Sequence, residues 1–413
     1  MPDLHQSSPI TTLHRLGTGD WRALEDELGE FREVRPIALV IPCLYSELEG
    51  DAIGPIVDQI VHATYLFRVI IALDRATQEQ YLYATRFFSS RLGDRVSILW
   101  LDSPSVTSLF AELQNQGLPV ETSGKGRAVW MAFGYVLSQE ELEVVALHDA
   151  DIVTYDRELL ARLCYAVGNP NLGFEFAKGY YARYSDRLHG RVMRLYLTPL
   201  LRALEQVCGS HPLLSFLASF RYPLAGEFAM SNDLVRVNRM PSDWGLEVGV
   251  LAEVYRNLAP RRVCQVDLCE RYDHKHRELS ADNPRAGLMK MAVDIGKSLF
   301  QNLAAEGVSF SAGRFRSLVV AYSRLAGDTI RQYGADAAIN HLSFERHQEG
   351  LAVDTFVRAL QLATHEFMDD PLGAPLIPNW NRVLSAVPDV LERMADAVSG
   401  DAADARLLLG KNS

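Results

Sequence analysis

Apolar residues run along this chain in two rhythms. In its first part, short unbroken runs (Ile37-Ala38-Leu39-Val40-Ile41, Val69-Ile70-Ile71-Ala72-Leu73, Val144-Val145-Ala146-Leu147) alternate with segments whose apolar residues recur at three and four spacing. Runs this short between polar punctuation are buried strands, and the spaced segments are amphipathic helices. The pattern predicts a helix over 21–31, a strand from Ile37 broken at Pro42, and a helix carrying Ile53, Ile56, Val57, Ile60 and Val61. Strands over 67–73 and 96–101 follow, ending at Asp74 and Asp102, then a helix over 128–137 and the strand before His148. Strands alternating with helices imply an α/β fold with a mostly parallel sheet covered on both faces. The acidic residues at the strand ends then form one electronegative rim. After about Asn283 only the helical rhythm remains, over 287–303, 315–333, 353–367 and 380–398. The segment from Ser280 to Pro284 reads as a boundary, and residues 401–413, small and polar, read as a disordered tail.

Composition narrows the class. A chain of 413 residues with net charge −11 is an ordinary globular protein that presents no general nucleic-acid or anionic-membrane surface. No apolar run has the length of a membrane span, and Met1 to Asp20 lack the basic and apolar blocks of a secretory signal. Cys43, Cys164, Cys208, Cys264 and Cys269 are odd in number and lack close metal-ligand spacing, the pattern of reduced thiols in a cytoplasmic protein.

The chemistry concentrates where strands end. Asp149 and Asp151, two residues apart after a buried strand, leave the sheet on one face, where open α/β sheets bind ligands. Two hard oxygen donors there suit a divalent ion carrying a diphosphate. In Ser123-Gly124-Lys125-Gly126-Arg127, glycines beside a lysine at a helix start allow close approach to a phosphate, though the Walker spacing is missing. Read alone, the pentapeptide is equally a glycine-rich turn. Lys178, Arg183, Arg187, His189, Arg191 and Arg194 are a cationic run in an acidic protein, suited to a doubly anionic ligand; on spacing alone a solvated basic helix face weighs as much. Glu227 and Glu247 are candidates for sugar hydroxyls, although buried glutamates more often meet backbone donors.

Taken in order, Pro42-Cys43-Leu44-Tyr45-Ser46-Glu47, Asp74, Gly124-Lys125-Gly126 and Asp149-Ala150-Asp151 resemble the nucleotide-sugar half of a GT-A glycosyltransferase. Gly190-Arg191-Val192, Pro223-Leu224-Ala225-Gly226-Glu227, Gly245-Leu246-Glu247 and Gln265-Val266-Asp267-Leu268, with His274 and His276, are similar to glycosyltransferase family 81, which contains the glucosyl- and mannosyl-3-phosphoglycerate synthases. The resemblance covers roughly residues 36–280.

It implies a GT-A domain over 36–285, preceded by a helical segment, 1–35, and followed by a helical extension, 286–400, that packs on it and contributes to a homodimer. Pro42, Leu44, Glu47, Asp74, Lys125, Asp149, Ala150 and Glu227 would bind the donor, and Lys178, Gly190, Arg191, Val192 and His276 the acceptor. Asp151, Glu247 and Leu224 would be catalytic, with Asp151 and His274 holding Mg2+ or Mn2+. Met193 stands where the family has a threonine, and the His274-Lys275-His276 spacing leaves the metal histidine to be chosen; its place after Arg271 favours His274. The implied activity is retaining transfer of glucose from UDP- or GDP-glucose to 3-phosphoglycerate, a step toward a compatible solute. GDP-mannose as donor and free glycerate as acceptor are the alternatives within the class. A nucleotide-sugar-binding regulator without catalysis is the alternative outside it.

Overall fold

The computed structural model describes residues 6, 8–17, 19–242, 244–274, 287–373 and 376–410. The predicted strands form, and are joined by others to make an eight-stranded sheet: β1 (Thr11–Leu13), β2 (Ile37–Leu44), β3 (Leu66–Asp74), β4 (Val96–Trp100), β5 (Val144–Leu147), β6 (Phe176–Tyr181), β7 (Phe228–Ser231) and β8 (Val263–Cys269). Their order is β1-β8-β6-β7-β5-β2-β3-β4. All neighbours are parallel except β7, which runs antiparallel to both β5 and β6. The carboxyl ends of β2, β3 and β5 therefore open on one edge of the sheet, where crevices for ligands form.

β2, β3 and β5 are buried along most of their lengths, which is why they read as apolar runs without alternation. Helices Ile53–Ile60, Gln78–Leu92 and Arg157–Gly168 contribute to the core on one face of the sheet, and helix Lys125–Leu137 to that on the other. The latter begins at Lys125, three residues before the apolar stretch that predicts it, and nearly all of its residues are buried.

The C-terminal helices share one core with the sheet. Trp380 stacks on Trp130 with ring centroids 4.3 Å apart, and Trp130 Nε1 donates to the Pro378 carbonyl over 2.8 Å. Gly134 makes room: a Cβ there would lie 2.2 Å from the Trp380 ring. The helix expected over 380–398 is two helices, Trp380–Ala386 and Val390–Gly410. Pro388 lies in the break, where a missing N–H and a ring clash exclude a continuous helix. The tail expected from residue 401 is also corrected, because Val390–Gly410 continues through it with Ala405 buried. Its alanines and leucines are good helix formers that composition alone disguised as a small, polar tail. The expected boundary at Ser280 to Pro284 lies outside the described residues. Among those described, no helix is long and apolar enough to cross a membrane.

Candidate active site

A cleft of about 740 Å3 opens over these strand ends, lined by Pro42, Leu44, Glu47, Asp74, Lys125, Asp149, Ala150 and Asp151 on one side. Gly190, Arg191, Val192, Leu224, Glu247 and His274 also line it. Residues from distant parts of the sequence thus meet on one surface, as the motif order requires.

Asp74 ends β3 and accepts the Arg75 N–H at 3.0 Å; Arg75 has φ 57°, an uncommon backbone for a residue with a Cβ. Burial and the charge of Asp102 push the Asp74 carboxyl above its usual range. Asp102 itself turns away from the cleft and accepts the Ala76 N–H at 2.9 Å, so the expected acidic rim is shorter than the strand pattern implies.

Lys125, first in its helix, places Nζ 2.6 Å from Asp149 Oδ1 and 3.4 Å from Glu247 Oε1. Burial alone would lower its pKa, but the two carboxylates prevail and hold it raised. The flanking glycines serve packing more directly than phosphate approach: a Cβ on Gly126 would lie 1.9 Å from the Pro241 carbonyl oxygen, and one on Gly124 2.5 Å from that of Ser242. Gly226 has a similar task, since a Cβ there would meet Asp149 Oδ2 at 2.6 Å.

Below the acidic pair, His148 is fully buried. Its Nδ1 lies 2.9 Å from the Asp149 carbonyl oxygen, which can only accept, so Nδ1 carries the proton and Nε2 accepts from the Tyr155 hydroxyl at 3.2 Å. Burial lowers its pKa to about 4 and keeps it neutral. Asp149 is held ionised: burial opposes this, but the charge and hydrogen bond of Lys125 outweigh it. Asp151 is pushed up to about 7 by burial and by Asp149.

His274 is brought to the pair by a short antiparallel bridge, Ile152 opposite His274, with Val153 N–H donating to the Asp273 carbonyl over 2.8 Å. Its Nδ1 lies 4.0 Å from Asp151 Oδ1. One ligand atom from each of Asp149, Asp151 and His274 falls within 4.8 Å of the others, a cluster that one divalent ion can bridge. Carboxylate oxygens with one imidazole suit Mg2+ or Mn2+. A cation there would also relieve the repulsion that raises Asp151. His276 lies outside the described residues.

Two of the expected ligand residues lie beneath the cleft lining. Glu227 is sealed below the cleft, where it accepts from Tyr181 and Tyr272 hydroxyls at 2.7 and 2.6 Å. These rings stack 3.7 Å apart, and Tyr272 lies two residues before His274. Lys178 is buried too, donating to the Ala225 carbonyl over 2.6 Å with its Nζ 5.3 Å from the Phe228 ring centroid. Burial brings its pKa down to about 8 against the pull of Glu247 and Glu227. Because successive strand residues face opposite sides, the spacing could not say which way Lys178 points.

The rest of the cationic run is not one helix face. Arg183 to Gly190 form an irregular loop, and a π-helix, Val192–Leu197, begins directly after Arg191. Such turns recur at functional sites. Arg187 pairs with Asp186 at 2.9 Å. Arg191 Nε and Arg194 Nη1 converge on Glu349, 2.8 and 3.0 Å from its two oxygens. Glu349, buried on helix Arg346–Asp369, had no signal in the sequence, because its partner lies 158 residues away. Tyr222 and Arg75, which also line the cleft, were missed as well.

No family model matches the chain. It is 43% identical over 404 residues to a glucosyl-3-phosphoglycerate synthase of Persephonella marina, covering 98% of this chain and all of that protein. It is 41% identical over 398 residues to one from Methanococcoides burtonii, covering 95% of this chain and 96% of the relative. Among solved structures, the Mycobacterium tuberculosis glucosyl-3-phosphoglycerate synthase in complex with Mn2+, uridine-diphosphate-glucose and phosphoglyceric acid superposes with TM-score 0.54 at 23% identity, covering 74% of this chain and 90% of that one. The mannosyl-3-phosphoglycerate synthase of Rubrobacter xylanophilus gives TM-score 0.52 at 21% identity, over 72% of this chain and 82% of its own, a likeness of fold.

Proposed function

The chain belongs to the glucosyl-3-phosphoglycerate synthase family, and from that premise we propose that it transfers glucose from a nucleoside-diphosphate glucose to 3-phosphoglycerate in the cytoplasm, with retention at the anomeric carbon. The observation that carries the reading is the meeting of Asp149, Asp151 and His274 beside Lys125 at the carboxyl ends of the parallel strands. In this reading Pro42, Leu44, Glu47 and Asp74 hold the nucleoside, and Arg191 with the Gly190 and Val192 backbone holds the acceptor. Asp149, Asp151 and His274 hold Mg2+ or Mn2+, which when bound supplies Lewis-acid stabilisation of the departing diphosphate.

The protein's own residues do the remaining work. Lys125, kept protonated between Asp149 and Glu247, presents a fixed positive charge to the diphosphate and needs no reorganisation as negative charge develops there. Glu247, on the first turn of helix Leu246–Asn257, is fixed by Lys125 to accept from sugar hydroxyls. Both carboxylates bound to Lys125 are thereby poor nucleophiles. That favours same-face attack by the acceptor hydroxyl, its proton passing to the leaving phosphate.

A product assay tests this: purified protein, UDP-glucose, GDP-glucose or GDP-mannose against 3-phosphoglycerate or glycerate, with Mg2+, Mn2+ or excess chelator. Glucosyl-3-phosphoglycerate formed only with metal is the expected product. Mannosyl product alone, or transfer only to glycerate, would replace the substrate assignment.

A further inference from the structure

Four arginines line the cleft, and their partners differ. Arg187 pairs with Asp186, and Arg191 shares the single carboxylate of Glu349 with Arg194. Arg75 stands beside Asp74, at the end assigned to the nucleoside. Arg183 is on the loop assigned to the acceptor, and among the described residues no carboxylate lies within ion-pairing distance of it. It forms part of the wall between the cleft and a second cavity of about 430 Å3, a wall shared with Leu188, His189, Met193 and Tyr222.

Arg183 is also held in place. Nη1 donates to the Tyr222 hydroxyl over 3.2 Å, while its carbonyl accepts the His189 N–H at 2.9 Å and closes the loop. The Tyr222 hydroxyl packs against Gly190, where a Cβ would come within 2.9 Å of it. Gly190 has φ +71° as well, so both the backbone and the tyrosine exclude a side chain. One hydroxyl thus joins the Arg183 guanidinium to the Gly190-Arg191-Val192 segment. Arg183 Nε is buried and meets no acceptor, a costly arrangement for a charged donor unless an anion completes it.

We infer that Arg183, oriented by Tyr222, is the second anion-binding residue of the acceptor site, so that Arg183 and Arg191 each take one of the two anionic groups of a phosphorylated hydroxy acid. This rests on the proposed function and deepens it. A guanidinium lining the cleft matches a carboxylate or a phosphate equally well, so truncated acceptors identify which group Arg183 receives.

The test uses the full chain with metal and UDP-glucose. Arg183→Gln and Tyr222→Phe are compared with wild type for KM and kcat toward each substrate, and for inhibition by glycerate, which lacks the phosphate, and glycerol 3-phosphate, which lacks the carboxylate. Arg183→Gln should raise the 3-phosphoglycerate KM by ~10-fold or more with the donor KM little changed. It should weaken only one of the two truncated inhibitors, the one retaining the group that Arg183 binds. Tyr222→Phe, which keeps the charge and frees its orientation, should show a smaller loss of the same selectivity. An unchanged acceptor KM in Arg183→Gln overturns the inference, and so does equal weakening of both inhibitors and the donor, which marks a structural role. Wild-type protein that neither glucosylates nor binds 3-phosphoglycerate overturns the proposed function itself, and this inference with it.

Discussion

The two sides of the cleft are built on different principles. On the side proposed for the donor, Leu44, Asp74 and Asp149 stand at or just beyond the carboxyl ends of parallel strands, and their directions are set by a sheet buried on both faces. On the side proposed for the acceptor, Arg183 to Arg191 lie on a loop, and the arginine nearest the π-helix is held by Glu349 from the C-terminal helices. A sheet edge positions side chains by local backbone geometry. The loop needs a long-range ion pair to do the same, so its precision depends on tertiary packing far from the strands.

The contrast is tested most severely on the donor side. Asp151→Ala should lower metal-dependent turnover by about 10²-fold or more, the scale of losing one preorganised electrostatic group, with circular dichroism and melting temperature near wild type. Full turnover in that variant, or in wild type with excess chelator, would remove the metal from the donor side altogether.

On the acceptor side, Arg191→Ala should raise the 3-phosphoglycerate KM by ~10- to 100-fold, as expected for removing a charge-assisted bond, while the UDP-glucose KM stays within about two-fold. Equal effects on both substrates would mean that the two sides are one unit. Glu349→Gln sharpens the same point without touching the cleft lining: breaking its pair with two arginines should cost roughly 3 kcal/mol in chemical denaturation. It should also raise the acceptor KM several-fold at unchanged donor KM. A stability loss with no change in acceptor KM would make Glu349 a purely architectural residue.

The smallest effect belongs to the buried layer between the sides. Lys178 titrates near 8 in the folded protein, because burial disfavours its charge, and near 10.4 when unfolded. Between those values the unfolded chain binds more protons, so this group's contribution to stability rises with pH from about 8 to about 10.4. Below 8 its cost is constant. Denaturation of Lys178→Met beside wild type should therefore show the variant's relative advantage shrinking across that window. A constant difference would mean that Lys178 does not titrate there.

What the sequence made legible follows the same division. Asp149, Asp151 and Lys125 were recognisable because an apolar run and a helix start fix where such residues emerge. The sheet was readable because β2, β3 and β5 lack polar residues along most of their lengths. The depth of Glu227 and Lys178 was not legible, because charge is visible in a sequence and burial is not. Glu349 and the Tyr222 link to Arg183 were invisible, since neither pair shares a local element. The antiparallel β7 was not anticipated, and the break at Pro388 was overridden by the helical spacing on either side of it.

The long span between Arg191 and Glu349 also orders events in time. Domains fold largely as their residues emerge during synthesis, N-terminal parts first, and every sheet strand, through Cys269, leaves the ribosome before Glu349 exists. The nascent chain therefore acquires its aspartates and Lys125 well ahead of the carboxylate that fixes Arg191 and Arg194. Translation halted in that interval would leave a polypeptide carrying the strand-end residues of the cleft but without the anchor that sets Arg191 and Arg194.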